Sequence, residues 1–317
     1  MFDFIREVFS IPFGYLIGFF YEISNNFILS LLLMTLCVKL ILLPSSIKQQ
    51  KGMAKTQRMQ PKIRRIKEKY AGNQQKMNEA MNELYAREGF SSMTGGCSGL
   101  LIQFPVMMGV YYVNYKLLSF VLRIPTDVLE TIKAATRNLE AFASNKNSEY
   151  QIEIIALQNF DQIKSVVPTE YVTEIEEFIS NLNFLGMNLL DKPQTSLPLS
   201  NPLWLIPILT GVTSFAMGIY SWLKQRKTNP EMAKNPSMGC MSLMTPAMSI
   251  WFSFMFPASV GIYIIFSTIF SMIQMVVTNI VYSPKKVLAK TMVDETINRR
   301  AREKIFKNVA ETLNEDK

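Results

Sequence analysis

Long apolar runs alternate with polar segments along this chain of 317 residues. A helix needs about 20 mainly apolar residues to cross a bilayer, and five runs approach or exceed that length. They are 27–44, 97–122, 202–223, 240–257 and 260–282. The pattern predicts an all-α membrane protein with five transmembrane helices, the last three of them within 201–282.

A sixth apolar run, 8–20, is too short to span and is flanked by Arg6, Glu7 and Glu22. Such a run predicts an interfacial helix that lies on the membrane, within an N-terminal segment 1–26. The run lacks a basic n-region and a small-residue cleavage site, so we expect no secretory signal here.

The polar segment 45–96 carries apolar residues at helical spacing on both sides of Gly72. Met59 and Ile63 belong to the stripe before Gly72, and Met77 and Met81 belong to the stripe after it. Two such stripes joined by a turn predict an antiparallel helical hairpin.

Proline and methionine decide how this hairpin is interpreted. Pro61 should kink the first arm or mark the restart of a helix. Flexible, polarisable Met53, Met59, Met77 and Met81 suit varied apolar partners, so these residues and Pro61 form a candidate contact surface. The alternative is that Met59, Met77 and Met81 fill the seam between the two arms.

The segment 123–200, here called the acidic insert, has 6 basic and 11 acidic residues. Its helix-like pieces, 127–143 and 169–182, predict a small helical cap, but no chemistry. Basic residues exceed acidic ones in the other polar segments: 11 to 4 in 45–96, 4 to 1 in 224–239, and 9 to 6 in 283–317. The positive-inside rule then predicts a cytoplasmic hairpin and C-terminal tail, with the N-terminus and the acidic insert outside.

Composition narrows the chemistry. The chain has no histidine, which excludes histidine-based acid–base catalysis and histidine metal ligands. Its three cysteines, Cys37, Cys97 and Cys240, match no metal-binding spacing and are interpreted as packing residues. We therefore expect no metal and no cofactor; that the chain is no bond-making enzyme is part of the function implied below.

Lys39 is the most informative residue, because it lies within the first apolar run. A charge at mid-membrane costs about 2.5–3.5 kcal/mol on insertion scales, and such charges usually face a polar cavity. The alternative is that Lys39 snorkels to the headgroups, since Pro44 lies only about 8 Å further along a helix.

Polar side chains also form stripes on several predicted spans. Thr35 shares a face with Lys39, and the other stripes contain Gln103 and Asn114 with Met107 between them, and Ser267, Ser271, Gln274 and Thr278. Several polar stripes together favour a water-filled groove, because polar groups cannot face lipid unsatisfied. The alternative for each Ser and Thr is a hydrogen bond back to the carbonyl four residues earlier.

Three stretches resemble the YidC-type membrane protein insertases. They are CVKLILLPSSIKQQKGMAKTQRMQPKIRRIKEKY (37–70), GGCSGLLIQFPVMMGVYY (95–112) and FPASVGIYIIFSTIFSMIQ (256–274). The resemblance covers the five-span core, about two thirds of the chain, and does not extend to the acidic insert.

This resemblance implies five helices around a hydrophilic groove that is closed to the outside and open to the cytoplasm and to lipid. Lys39 occupies the position of a single basic residue that lines the groove, and Thr35 and Gln103 match positions that face it. The candidate groove residues are Lys39, Thr35, Gln103, Met107, Ser267, Ser271 and Gln274.

The implied function is insertion of membrane proteins in a bacterial cell membrane. Its partners would be newly made membrane proteins and the lipid bilayer, and the secretion channel is a further candidate partner. The basic tail, with Arg299, Arg300, Arg302, Lys304 and Lys307, is a candidate contact for ribosomal RNA, with anionic lipid as the alternative. The rival functions are a small-solute transporter or channel and a structural membrane scaffold.

Overall fold

The structure is a computed structural model of the chain. It describes residues 2–87, 98–143, 149–194, 197–198, 200–228 and 236–281, with short pieces of the tail between 289 and 304. Within the helices, the side chains of 2–10, 50–58, 98–105 and 236–243 lie outside this description, as do a few single positions.

Helices dominate the described residues. The α-helices are α1 (Phe2–Ser24), α2 (Phe27–Ile41), α3 (Leu43–Lys69), α4 (Gln74–Arg87), α5 (Ser98–Tyr115), α6 (Leu117–Phe120), α7 (Thr126–Arg137), α8 (Glu140–Ala143), α9 (Ile152–Gln158), α10 (Phe160–Ile163), α11 (Thr169–Asn181), α12 (Leu205–Thr228), α13 (Pro236–Met255) and α14 (Ala258–Val281). Short 3₁₀ turns occupy Lys164–Val166 and Pro202–Trp204, and the strands β1 (Asn183–Phe184) and β2 (Met187–Asn188) form one hairpin.

The chain divides into two compact units. The first contains Met1–Ile41 and Leu101–Met272, and the second contains Leu42–Leu100 and Ile273–Lys317.

Among the described residues, Pro202–Lys224 and Ala258–Val281 are each long and apolar enough to cross a membrane. A third span is counted if α2 and the start of α3, which meet at a break, are taken together. Helices α5 and α13 coincide with the second and fourth predicted spans. The all-α membrane class is therefore confirmed, while the count of five spans stays a prediction.

Helix α1 is longer than the predicted interfacial run and packs against α2 and α6. Gly14 allows the close approach to α6, because a Cβ there would collide with the ring of Phe120. The same helix exposes Ile11, Tyr15 and Phe19 at four-residue spacing, and the Arg123 guanidinium lies over the Tyr15 ring. This helix thus has a packed side and an exposed row of apolar residues beside it.

The acidic insert folds around its own core of buried Ile132, Ile155, Phe160 and Phe178. The predicted piece 127–143 is divided into α7 and α8, and 169–182 corresponds to α11.

The insert is attached to the first two helices through Phe178. Its ring meets the ring of Tyr21 at 5.2 Å between centroids and the ring of Phe27 at 5.9 Å, both edge-on. Edge-to-face aromatic pairs of this kind add about 0.5–1.5 kcal/mol beyond the area they bury.

The end of the insert caps the last membrane helix. The amide of Ala258 donates to the carbonyl of Asp191, and the amide of Ser259 donates to the carbonyl of Leu189, both at 2.9 Å. The first amides of a helix lack partners within it, so these two bonds satisfy donors that α14 cannot satisfy itself.

The predicted hairpin break is confirmed in the second unit. Helix α3 ends at Lys69, Gly72 adopts a left-handed φ of 94°, and the Asn73 side chain caps α4 by accepting from the amide of Lys76 at 3.1 Å. Of the two alternatives for Pro61, the restart of a helix is wrong, because α3 continues through this residue.

A buried carboxylate fixes the insert to the chain that follows α5. Glu153 is only 1% exposed, and its oxygens accept from the Ser119 hydroxyl at 2.6 Å and the Ser119 amide at 3.1 Å. Burial raises the pKa of the Glu153 carboxyl, although Ser119, Lys133 and Lys116 oppose this shift.

Glu153→Ala should destabilise the insert by about 1–3 kcal/mol, because it leaves the Ser119 amide without an acceptor.

The stability contributed by Glu153 should depend on pH. Because its pKa is raised in the folded state, this stability is complete below the pKa of the unfolded state and is lost as pH rises through the pKa of the folded state. Glu153→Gln should therefore reduce the loss of thermal stability between pH 5 and pH 8, measured by tryptophan fluorescence in detergent. Glu130→Gln, which changes an exposed acid of α7, is the control, and an equal effect of both variants would contradict this role.

Candidate functional site

Lys39 reaches across from α2 to α14. Its Nζ donates to the hydroxyl of Ser271 at 2.8 Å, and the two residues are 232 positions apart in the sequence. The Lys39 side chain is half-buried, and among the described residues no carboxylate pairs with it. The site thus presents a positive charge that is partly withdrawn from solvent and positioned by a hydroxyl, with no described acidic side chain to neutralise it.

The other predicted groove residues on these two helices are arranged differently. Thr35 is buried, and its hydroxyl donates to the carbonyl of Leu31 in the same helix at 2.6 Å. Ser267 is buried one turn before Ser271, and Gln274 is half-buried one turn after it. Ser271 is therefore the predicted hydroxyl that meets Lys39, whereas Thr35 forms the hydrogen bond to its own helix that was the alternative interpretation.

Helix α5 contributes the other groove candidates. Met107 is half-buried, while Gln103 lies in the helix with its side chain outside the description. Asn114 on the same helix is buried; its Nδ2 donates to the carbonyl of Val110 at 2.8 Å, and its Oδ1 has no partner within the described residues. A buried amide oxygen of this kind needs a water molecule or another polar group.

Helix α12 carries two further polar residues, Thr210 and Ser214, that were not predicted as part of a polar stripe. Both are buried, and within the described part of the chain neither hydroxyl has a partner. Between them, Gly211 permits the close approach of Ile250 on α13, which a Cβ would meet at 3.3 Å. Their four-residue spacing was the available signal, because it places both hydroxyls on one face of the helix.

The hairpin candidates divide by burial. Met59 is buried, Met77 and Met81 are half-buried, and Pro61 is exposed. No described residue of α4 is fully buried, so the methionines of that arm keep accessible surface. Met53 lies in α3 with its side chain outside the description.

Among the described residues, no three acidic, cysteine or histidine side chains lie close enough together to hold a metal ion.

Comparison with known proteins gives the family. Residues 19–286 match the family described as 60Kd inner membrane protein. Proteins named membrane protein insertase YidC from Brucella suis, Shewanella halifaxensis and Nitrosomonas europaea are 39%, 38% and 36% identical over 104, 104 and 101 residues.

These matches cover 33%, 33% and 32% of this chain and 17%, 19% and 16% of the relatives. The chain thus spans less than one fifth of the length of these relatives, whereas the family match extends over most of the chain. With its apolar helices, the chain is a multi-pass membrane protein that belongs to the 60Kd inner membrane protein family, the family of the YidC insertases.

Proposed function

We propose that this protein moves hydrophobic segments of newly made proteins from the cytoplasm into the lipid bilayer. The observation that carries the proposal is the half-buried ammonium of Lys39, which Ser271 positions at 2.8 Å and no described carboxylate neutralises. Placing a charge inside a membrane helix is energetically costly, and such charges are usually functional. Membership of the YidC family supports the same function.

The proposed mechanism lowers the barrier for the polar part of an incoming segment. Polar and acidic groups of the substrate enter a wet, positive groove beside Lys39 and avoid the apolar layer. The apolar part then moves sideways into lipid, a step driven by about 25 cal/mol per Å² of apolar surface removed from water. No bond is made or broken in this process.

Unpaired polar atoms support a hydrated groove among the helices of the first unit. Asn114 Oδ1 and the hydroxyls of Thr210 and Ser214 are buried without partners in the described residues. Polar groups at membrane depth are tolerated where they line a water-filled cavity. Water beside these three atoms would satisfy their hydrogen-bonding capacity.

The remaining components have defined roles in the proposal. The hairpin of α3 and α4 receives the substrate, and the acidic insert covers the outer side. Newly made membrane proteins and lipid are the partners, the basic tail meets the ribosome, and the secretion channel is a further partner.

The test of function is complementation of a bacterium depleted of its own insertase. The chain should restore growth and membrane insertion, whereas Lys39→Glu should not. A solute-flux assay in liposomes distinguishes the rival transporter or channel function, because an insertase should not release solute. Restored growth by Lys39→Glu would contradict the proposal.

The proposed orientation is tested separately by thiol labelling of intact cells. Ser165 in the insert and Asn78 in α4 are both exposed. Each is replaced by cysteine, Ser165→Cys and Asn78→Cys, in a background without the three native cysteines. An impermeant reagent should label position 165 and not position 78, because loop charge places the hairpin inside. The reverse pattern would overturn the topology.

A further inference from the structure

A cavity of about 340 Å³ lies at the boundary between the acidic insert and the residues that precede α12 and α14. Its polar lining residues include Gln151, Gln158, Asp191 and Lys192. Its apolar lining residues include Leu203 and Pro257, which precede α12 and α14. A concave site that combines apolar residues with polar and charged groups can fix the orientation of a small amphipathic ligand.

Lys192 differs from the other described lysines of the insert. Lys133 and Lys164 form ion pairs on the surface, whereas Lys192 is half-buried in the cavity wall and pairs with no described carboxylate. Burial also lowers the pKa of the Lys192 ammonium. An anion in the cavity would compensate for the hydration that this ammonium has lost.

Asp191 places a fixed negative charge in the same wall. Its Oδ1 accepts from Gln158 Nε2 at 2.9 Å, and its carbonyl accepts from the amide of Ala258. No ion pair joins Asp191 to Lys192, although the two are neighbours in the sequence. The cavity therefore offers one cation and one anion, and a simple anion such as phosphate would meet repulsion from Asp191.

An aromatic residue beside the cavity is consistent with a position at the level of the lipid headgroups. Trp204 follows Leu203; its Nε1 donates to the carbonyl of Leu197 at 3.2 Å, and its ring meets Phe254 at 5.6 Å. Trp251 on α13 is exposed. Tryptophan is enriched at the level of the lipid headgroups, and Trp204 directly follows the lining residue Leu203 at the start of α12.

We propose that this cavity binds the headgroup of a zwitterionic phospholipid, with the phosphate beside Lys192 and the ammonium beside Asp191. The volume equals that of about ten water molecules, which suits a headgroup and excludes a whole lipid. The acyl chains leave the cavity past Leu203 and Pro257 and follow α12 and α14. This site is separate from the Lys39 groove and does not depend on the insertase function.

The test is lipid retention by the purified full-length protein, measured by native mass spectrometry. The protein is delipidated in detergent and titrated with phosphatidylethanolamine or phosphatidylglycerol of identical acyl chains. Wild type should prefer phosphatidylethanolamine. Lys192→Gln should weaken its binding about tenfold, because it removes the cation that compensates the phosphate charge. Asp191→Asn should remove the preference over phosphatidylglycerol.

Lys164→Gln is the matched control, since it removes an exposed, paired lysine of the same insert and should leave lipid binding unchanged. Thermal unfolding establishes that each variant is folded. Equal retention by wild type and Lys192→Gln would overturn the proposal. So would displacement of the lipid by an equal concentration of inorganic phosphate, which would assign the cavity to a soluble anion.

Discussion

Lys39→Glu should reduce membrane insertion at least about tenfold, whereas Lys39→Arg should preserve it. Glutamate places a negative charge where acidic substrate segments must pass and therefore repels them. An increase of only about 1.4 kcal/mol in the barrier to insertion reduces the rate of insertion tenfold. Arginine keeps the charge and can still donate to Ser271, which accepts from Lys39 at 2.8 Å. Lys39→Ala should fall between them and should impair substrates with acidic residues most.

The measurement is the insertion yield of matched substrates that differ only in acidic residues. Lys116→Ala is the control, because Lys116 also lies in a predicted span but its Nζ sits over the ring of Tyr112, 4.7 Å from the centroid. Each variant must first reach the membrane at normal levels. Equal yields for Ala, Arg and Glu at position 39 would mean that the lysine only snorkels.

The second large effect is expected from the hairpin. Replacing 53–88 with a short Gly/Ser linker should give a protein that still integrates into the membrane but inserts substrates poorly. Helices α3 and α4 belong to the second compact unit, so their removal leaves the packing within the first unit intact. Met77 and Met81 keep accessible surface for an apolar segment.

Point variants refine this test. Met77→Ser with Met81→Ser should reproduce part of the defect, while Asn78→Ser, at an exposed position of the same helix, should not. Photo-crosslinking between position 81 and a nascent chain reports capture directly. Normal insertion by the linker variant would show that the hairpin is not the receiving surface.

Local patterns were sufficient to predict most elements. The apolar run 27–44 contains α2, the loss of helical pattern at Gly72 matches the turn between α3 and α4, and the helix-like piece 169–182 corresponds to α11. Each of these features depends on residues within one or two turns of each other. Such short-range preferences are what the order of residues encodes most directly.

Partners distant in sequence could not be predicted in the same way. The stripe rule placed Thr35 and Lys39 on one face, but it did not show that Thr35 would bond to Leu31 while Lys39 would meet Ser271. Periodicity indicates which face of a helix is polar and contains no information about the helix opposite. The contact of Glu153 with Ser119 was missed for the same reason.

The capping of α14 by the insert has a consequence for the order of biosynthesis. The carbonyls of Leu189 and Asp191, which accept from the amides of Ser259 and Ala258, leave the ribosome well before those amides do. Amides without partners are costly near lipid, so the first turn of α14 gains its full stability only once the insert has folded. Completion of α14 therefore depends on an earlier segment of the chain having already reached its place.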